Sequence, residues 1–267
     1  MTTHRLTLIA TALVLANLLL SPPVAGAQGR GGAGVSGDVA AAPAPRLPDG
    51  RPDLSGLWNG GGGIGQLAPG EEIIMTPWAE EIFNYRQDPD QNAANEDPNL
   101  YCLPSGVPRM SPYPWRMIQT PTHAPETHIF ILFEGNIHSY RQIFMDGRDH
   151  PADPDPTWYG HSIGRWDGDT LVVDTVGYND LFWFSFEGHP HSEELHTIER
   201  FTRRDLNTLQ WDITIEDPIA YETAFTVTSQ ARLMPDDDLM EYICQENNTS
   251  AGRLRGPAIS PGGPRGQ

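Results

Sequence analysis

Strict two-residue alternation dominates the second half of the chain. Leu209, Trp211, Ile213 and Ile215 alternate with Gln210, Asp212, Thr214 and Glu216. Side chains of a strand point to opposite faces in turn, so this pattern predicts a half-buried strand. Phe225, Val227, Ala231 and Leu233 alternate with Thr226, Thr228, Gln230 and Arg232 and predict the next one. Thr170–Val173 is a short β-branched run, and Trp166-Asp167-Gly168-Asp169 supplies a hairpin turn just before it. Asp146-Gly147 ends an earlier strand. Before His128 the pattern differs. Thr76 can cap a helix, Pro77 suits its first turn, and Glu80 and Glu81 favour its positive end. Trp78, Ile82 and Tyr85 then share one face. From Asp88 to Pro125, proline and asparagine recur too often for long regular elements. Together these features predict an all-β domain with one short helix. Its six to nine strands form an antiparallel meander, closed or partly closed as a lipocalin-like barrel because closure removes exposed edges. A sandwich is the second choice.

The ends of the chain read differently. His4 and Arg5 precede an apolar run from Leu6 to Leu20, and Ala25-Gly26-Ala27 offers a small-residue cleavage site, so residues 1–27 read as a signal peptide. The run is too short for a span of about 20 residues, and the mature chain is expected in the periplasm or outside the cell without membrane insertion. Residues 28–50 are rich in Gly, Ala and Pro and read as a flexible leader; residues 249–267 read as a disordered tail. The folded domain is expected over 51–248.

Export changes the reading of Cys102 and Cys244. In an oxidising compartment a disulfide is the natural state, with two buried thiols as the alternative. A loop that long would stabilise by roughly 4–5 kcal/mol in the chain-entropy view. The formal charge of −18 argues against nucleic acid and anionic membranes as partners and leaves a small molecule. All 17 positive residues are arginine, which removes Schiff-base chemistry with PLP and the phosphate-loop lysine. No Rossmann pattern supports NAD or flavin.

A set of motifs runs through the chain: Pro52-Asp53-Leu54-Ser55-Gly56-Leu57-Trp58, Cys102-Leu103-Pro104, Asp146-Gly147-Arg148, Gly164 to Thr175, Gly188-His189-Pro190-His191-Ser192-Glu193, and Glu241 to Asn247. As a set they resemble a large family of exported bacterial proteins of about this length. The resemblance implies the compartment and one shared domain, and carries no mechanism.

Candidate chemistry concentrates in histidines. His189 and His191 flank a proline that extends the backbone, and an extended His-x-His pair suits zinc or iron, with His196 or Glu199 completing a three-ligand site. Such a metal would activate water or polarise a substrate oxygen. The competing reading is a polar loop. His161, Asp146 and Asp180 are the candidate acid–base residues, His161 and Asp146 at a barrel mouth and Asp180 among the aromatics of residues 178–186. Gly160-His161-Ser162-Ile163-Gly164 matches an esterase elbow by letter, but that motif needs a strand before and a helix after it. The functional expectation is an exported lyase, isomerase or hydrolase. The alternatives are a non-catalytic carrier of an apolar molecule and a serine hydrolase built on Ser162.

Overall fold

The computed structural model describes residues 42–61, 66–91, 93–109, 113–120, 126–135 and 139–246. The predicted signal peptide and the tail from 249 lie outside them. Nine strands follow one another around a closed barrel: β1 Gly56–Gly60, β2 Trp115–Gln119, β3 His128–Phe133, β4 Ser139–Phe144, β5 His161–Asp167, β6 Thr170–Val176, β7 His196–Arg203, β8 Thr208–Glu216 and β9 Phe225–Leu233. β9 pairs with β1, so the sheet has no free edge. The expected all-β barrel with one short helix is the observed fold.

The pairing is mixed where an antiparallel meander was expected, and strand number explains it. Directions cannot alternate all the way around a ring of nine. Every neighbouring pair is antiparallel except β4 and β5, which run parallel through Ile143↔Ser162 and Phe144↔Ile163. A parallel pair needs a returning connection, and residues 145–160 carry the chain back.

Alternation decides what each strand buries. On β8, Leu209, Trp211, Ile213 and Ile215 are buried, as predicted; on β9, Phe225, Val227 and Ala231 are. Trp58, Trp115, Phe201 and Trp211 meet ring to ring inside the barrel, with centroids 5.0–6.5 Å apart. Large aromatics thus occupy the interior and dominate its apolar burial. At one end of the barrel the Pro52-Asp53-Leu54 motif closes the core. Leu54 is fully buried and donates its N–H to Gln119 Oε1 at 2.6 Å.

The helix α1 spans Pro77–Gln87, and the Thr76 side chain accepts from the Ala79 N–H at its start. Its packed face is not the expected one. Trp78 and Tyr85 are exposed, and the contacts come from Ala79, Phe83 and Arg86. Phe83 sits 4.5 Å from the His189 ring and Arg86 lies 4.5 Å over Trp183. Burial of that guanidinium pulls its pKa down to about 10.

Two further differences concern the first half and the ends. β2 lies within the stretch from Asp88 to Pro125, where proline and asparagine argued against long regular elements. Residues 42–50, expected in the leader, are attached: Arg46 forms a two-bonded pair with Asp169, and Leu206 donates its N–H to the Ala42 carbonyl. Cys102 and Cys244 are bonded, as expected, with Cα atoms 5.6 Å apart, and Cys244 follows β9. Among the described residues no helix is long and apolar enough to cross a membrane.

Candidate active site

The strands β5, β6 and β7 carry two polar systems on opposite faces. Inward from them lie Ser162, Thr175 and Glu199, all fully buried, with Arg141 of β4 facing them. Arg141 donates to both oxygens of Glu199, to Ser162 Oγ at 3.0 Å and to Thr175 Oγ1 at 2.8 Å. Trp211 Nε1 adds a bond to Glu199 Oε1 at 3.1 Å. Burial works against the Arg141 charge, but the adjoining Glu199 carboxylate more than offsets it, and the guanidinium pKa is raised. This network is fully satisfied and closed off from water.

Outward, on the opposite face of these strands, lies a different set. Asp174 of β6 accepts from His196 Nε2 of β7 at 2.9 Å and from His150 Nε2 at 3.1 Å, both on the same oxygen. The other ring nitrogen of His196 meets Glu216 Oε2 of β8 at 2.9 Å. The other ring nitrogen of His150 meets Nδ1 of His161, on β5, at 2.8 Å. His150 arrives from the returning segment 145–160, so the parallel strand pair delivers it here. The result is an unbroken chain of five titratable side chains: Glu216, His196, Asp174, His150, His161. All are partly exposed on the outer wall near one end of the barrel.

Bonding rules assign most of the protons. Ionised carboxylates only accept. His196 faces a carboxylate at each nitrogen, so it donates from both when both contacts are made. With a neutral ring, His150 donates from Nε2 to Asp174 and accepts at Nδ1. His161 therefore donates from Nδ1 and keeps a bare lone pair on Nε2. Among the described residues that nitrogen has no partner. Partial burial lowers the pKa of His161, and the neighbouring His150 and Arg148 push it the same way. A neutral imidazole with a free nitrogen and a relay behind it is equipped to accept a proton.

The residues singled out from the sequence divide between several places. His161 and His196 enter the chain just described. Glu199 does not join them, because it is held inside the barrel by Arg141 and Trp211. His189 meets the Ser185 hydroxyl at 2.7 Å and packs on Phe83. His191 is buried with its ring nitrogens toward the carbonyls of Ser192 and Phe182, at 3.1 and 2.9 Å, and burial lowers its pKa. His189, His191, His196 and Glu199 thus do not converge on one point. Among the described residues no group of three or more His, Cys, Asp or Glu is placed to hold a metal.

The loop carrying the His-Pro-His motif is itself pinned. Asp217 accepts from the Ser192 N–H at 2.6 Å and from its hydroxyl at 2.9 Å, and Tyr221 donates to the Pro190 carbonyl at 2.7 Å. Asp146 is tied to Arg148 beside the relay, and the Arg148 hydrogen bonds draw its pKa down to about 2. Asp180 shares no hydrogen bond or ion pair with the relay among the described residues. Ser162 lies within β5 with its oxygen accepting from Arg141 and Thr175, and no imidazole reaches it among the described residues.

Asp174 and Glu216 escaped the sequence reading, and both left a signal. Asp174 is the one acid in the run Leu171 to Val176, and Glu216 ends the polar row of β8. Compared with known proteins, the chain matches no protein-family model, no curated protein and no solved structure, so the site is read from its geometry alone.

Proposed function

We propose that the chain is an exported enzyme, periplasmic or secreted, whose outer-wall relay performs general-base catalysis on a small organic molecule. The observation that supports this reading is the continuous bonding from Asp174 through His150 to His161, ending in an Nε2 that has no partner among the described residues. In the proposed step His161 Nε2 takes a proton from a substrate carbon or from an attacking water. Its Nδ1 proton passes to His150 Nδ1, and the His150 Nε2 proton moves toward Asp174. The leaving proton is thereby shared along the relay, and the negative charge it abandons stays on the substrate or enters the new bond. Lyase, isomerase and hydrolase chemistry all begin in this way. The aromatics packed inside the barrel favour the outer wall over the lumen as the place where a substrate binds.

The test uses the full chain and His161→Ala with a pooled extract of small metabolites in D2O, read by mass spectrometry. Wild type should deplete a compound or load it with deuterium, and His161→Ala should do so about 10²–10⁴-fold more slowly. Equal turnover by the two proteins would remove His161 from the chemistry.

A further inference from the structure

Next to His161 lies one cation whose placement an ordinary surface ion pair does not require. The Asp146-Gly147-Arg148 turn, with Gly147 at φ +78°, folds Arg148 back on itself. Arg148 Nε then lies 2.9 and 3.1 Å from the Asp146 carboxylate oxygens, and Nη2 lies 2.5 Å from one of them. Those bonds use one edge of the guanidinium. Nη1 has no partner among the described residues, and the side chain remains 43% exposed.

The seat of this cation is specific. The guanidinium centre lies 3.9 Å over the Phe144 ring, and that same ring stacks on His161 with centroids 5.0 Å apart and planes 23° apart. Phe144 projects outward from β4, where its neighbours are His128, 5.3 Å away, and beyond it Phe130. The free edge of a rigid guanidinium and the free nitrogen of a base are therefore held on one aromatic support.

We propose that Arg148 anchors the carboxylate of the substrate, so that the enzyme acts on small organic monoacids with an apolar body. The proposal rests on His161 being the base. A guanidinium edge matches a planar carboxylate with two parallel N–H bonds, and the aromatic support suits the apolar remainder. Asp146 already balances the Arg148 charge, and the chain as a whole carries −18. Both features favour a monoanion over a doubly charged phosphate. Arg148 is on this account a specificity-determining residue.

The experiment follows Arg148 Nε and the His161 ring by NMR in full chain labelled with ¹⁵N arginine and histidine. Phenylacetate, pyruvate and succinate are titrated separately, with phenylacetamide as the uncharged isostere of the first. Phenylacetate should shift both signals saturably and the amide should not. R148Q should weaken phenylacetate binding roughly tenfold or more, the loss of charged hydrogen bonds. Unchanged binding in R148Q, equal binding of the amide, no saturable shift with phenylacetate, or tighter binding of succinate than of phenylacetate overturns the proposal. Reaction of His161 with diethyl pyrocarbonate in the same R148Q sample separates the two readings. If His161 reacts as in wild type while the acids ignore Arg148, the base survives and the anchor falls. If His161 is inert in both proteins, the base reading itself has failed.

Discussion

Replacing Glu199 by Gln tests whether the ion pair inside the barrel is as isolated from water as its geometry says. Arg141 and Glu199 are 2% and 0% exposed, so neither charge has solvent to fall back on. The amide keeps the shape and one acceptor oxygen but removes the countercharge. Arg141 would retain only the neutral oxygens of Ser162 and Thr175, plus that amide oxygen. Breaking a buried pair from one side typically costs about 3–5 kcal/mol. For a domain of this size each kcal/mol is about 2–4 °C, so Glu199→Gln should melt roughly 6–20 °C below wild type. Urea unfolding followed by far-UV circular dichroism gives the free energy. Tryptophan fluorescence reports the loss of the Trp211 bond to Glu199. The double replacement Arg141→Met with Glu199→Leu should recover most of the loss, because an apolar pair of similar size needs no countercharge. A loss under about 1 kcal/mol for Glu199→Gln would mean that water reaches the pair, and the reasoning fails.

Three shorter expectations follow. Reducing the Cys102–Cys244 bond, which closes a separation of 142 residues, should lower the melting temperature by about 10–20 °C, from roughly 5 kcal/mol of loop entropy; two free thiols in the unreduced, unfolded protein would contradict the bond. Burial lowers the pKa of His161, His189 and His191, so below about pH 6.5 the unfolded chain binds protons that the folded one refuses. Stability present near neutral pH should therefore fall as pH drops through that value, and urea midpoints that stay flat down to about pH 5 would refute the assignment. Asp174→Asn should leave the partly exposed wall stable to within about 1 kcal/mol, while slowing proton transfer as strongly as His161→Ala does; a fully active Asn variant would mean that the relay carries no proton.

Much of the fold was legible because alternation reports burial directly. The apolar rows of β8 and β9 are buried in the structure as far as Ala231, with Leu233 partly buried and Gln210 of the polar row buried as well. Where glycine and proline obscure that period, as in β1 and β2, only pairing with neighbours far along the chain makes the strands. The helix shows a similar limit. Its cap was legible from Thr76 and Pro77, but its packed face depends on where His189 and Trp183 happen to lie. For the site, His161 stood out as an acid–base candidate and His196 as a candidate ligand. Their grouping did not, since residue spacing says nothing about which strands become neighbours. The rings of the His-Pro-His segment look like ligands in sequence; in the structure a serine hydroxyl and backbone carbonyls lie at their nitrogens, which spacing could not reveal.

The relay and the buried ion pair are two consequences of one geometry. β5, β6 and β7 place His161, Asp174 and His196 outward, and the next residue of each, Ser162, Thr175 and Thr197, inward. Period two makes this unavoidable, and slipping any of these strands by one residue would exchange the two sets. Such a slip would put imidazoles and Asp174 into an aromatic interior and strand Arg141 without its partners. The inner network therefore fixes the register on which the outer chain depends. His150 is the exception, because it belongs to no strand and is supplied by the return segment that an odd number of strands demands. A site assembled from four strands can be held to within tenths of an ångström, while its fifth member sits on a connection able to yield. That division places the rigid groups at His161, Asp174, His196 and Glu216. It leaves the two links of His150, to Asp174 and to His161, as the contacts that a bound substrate could tighten.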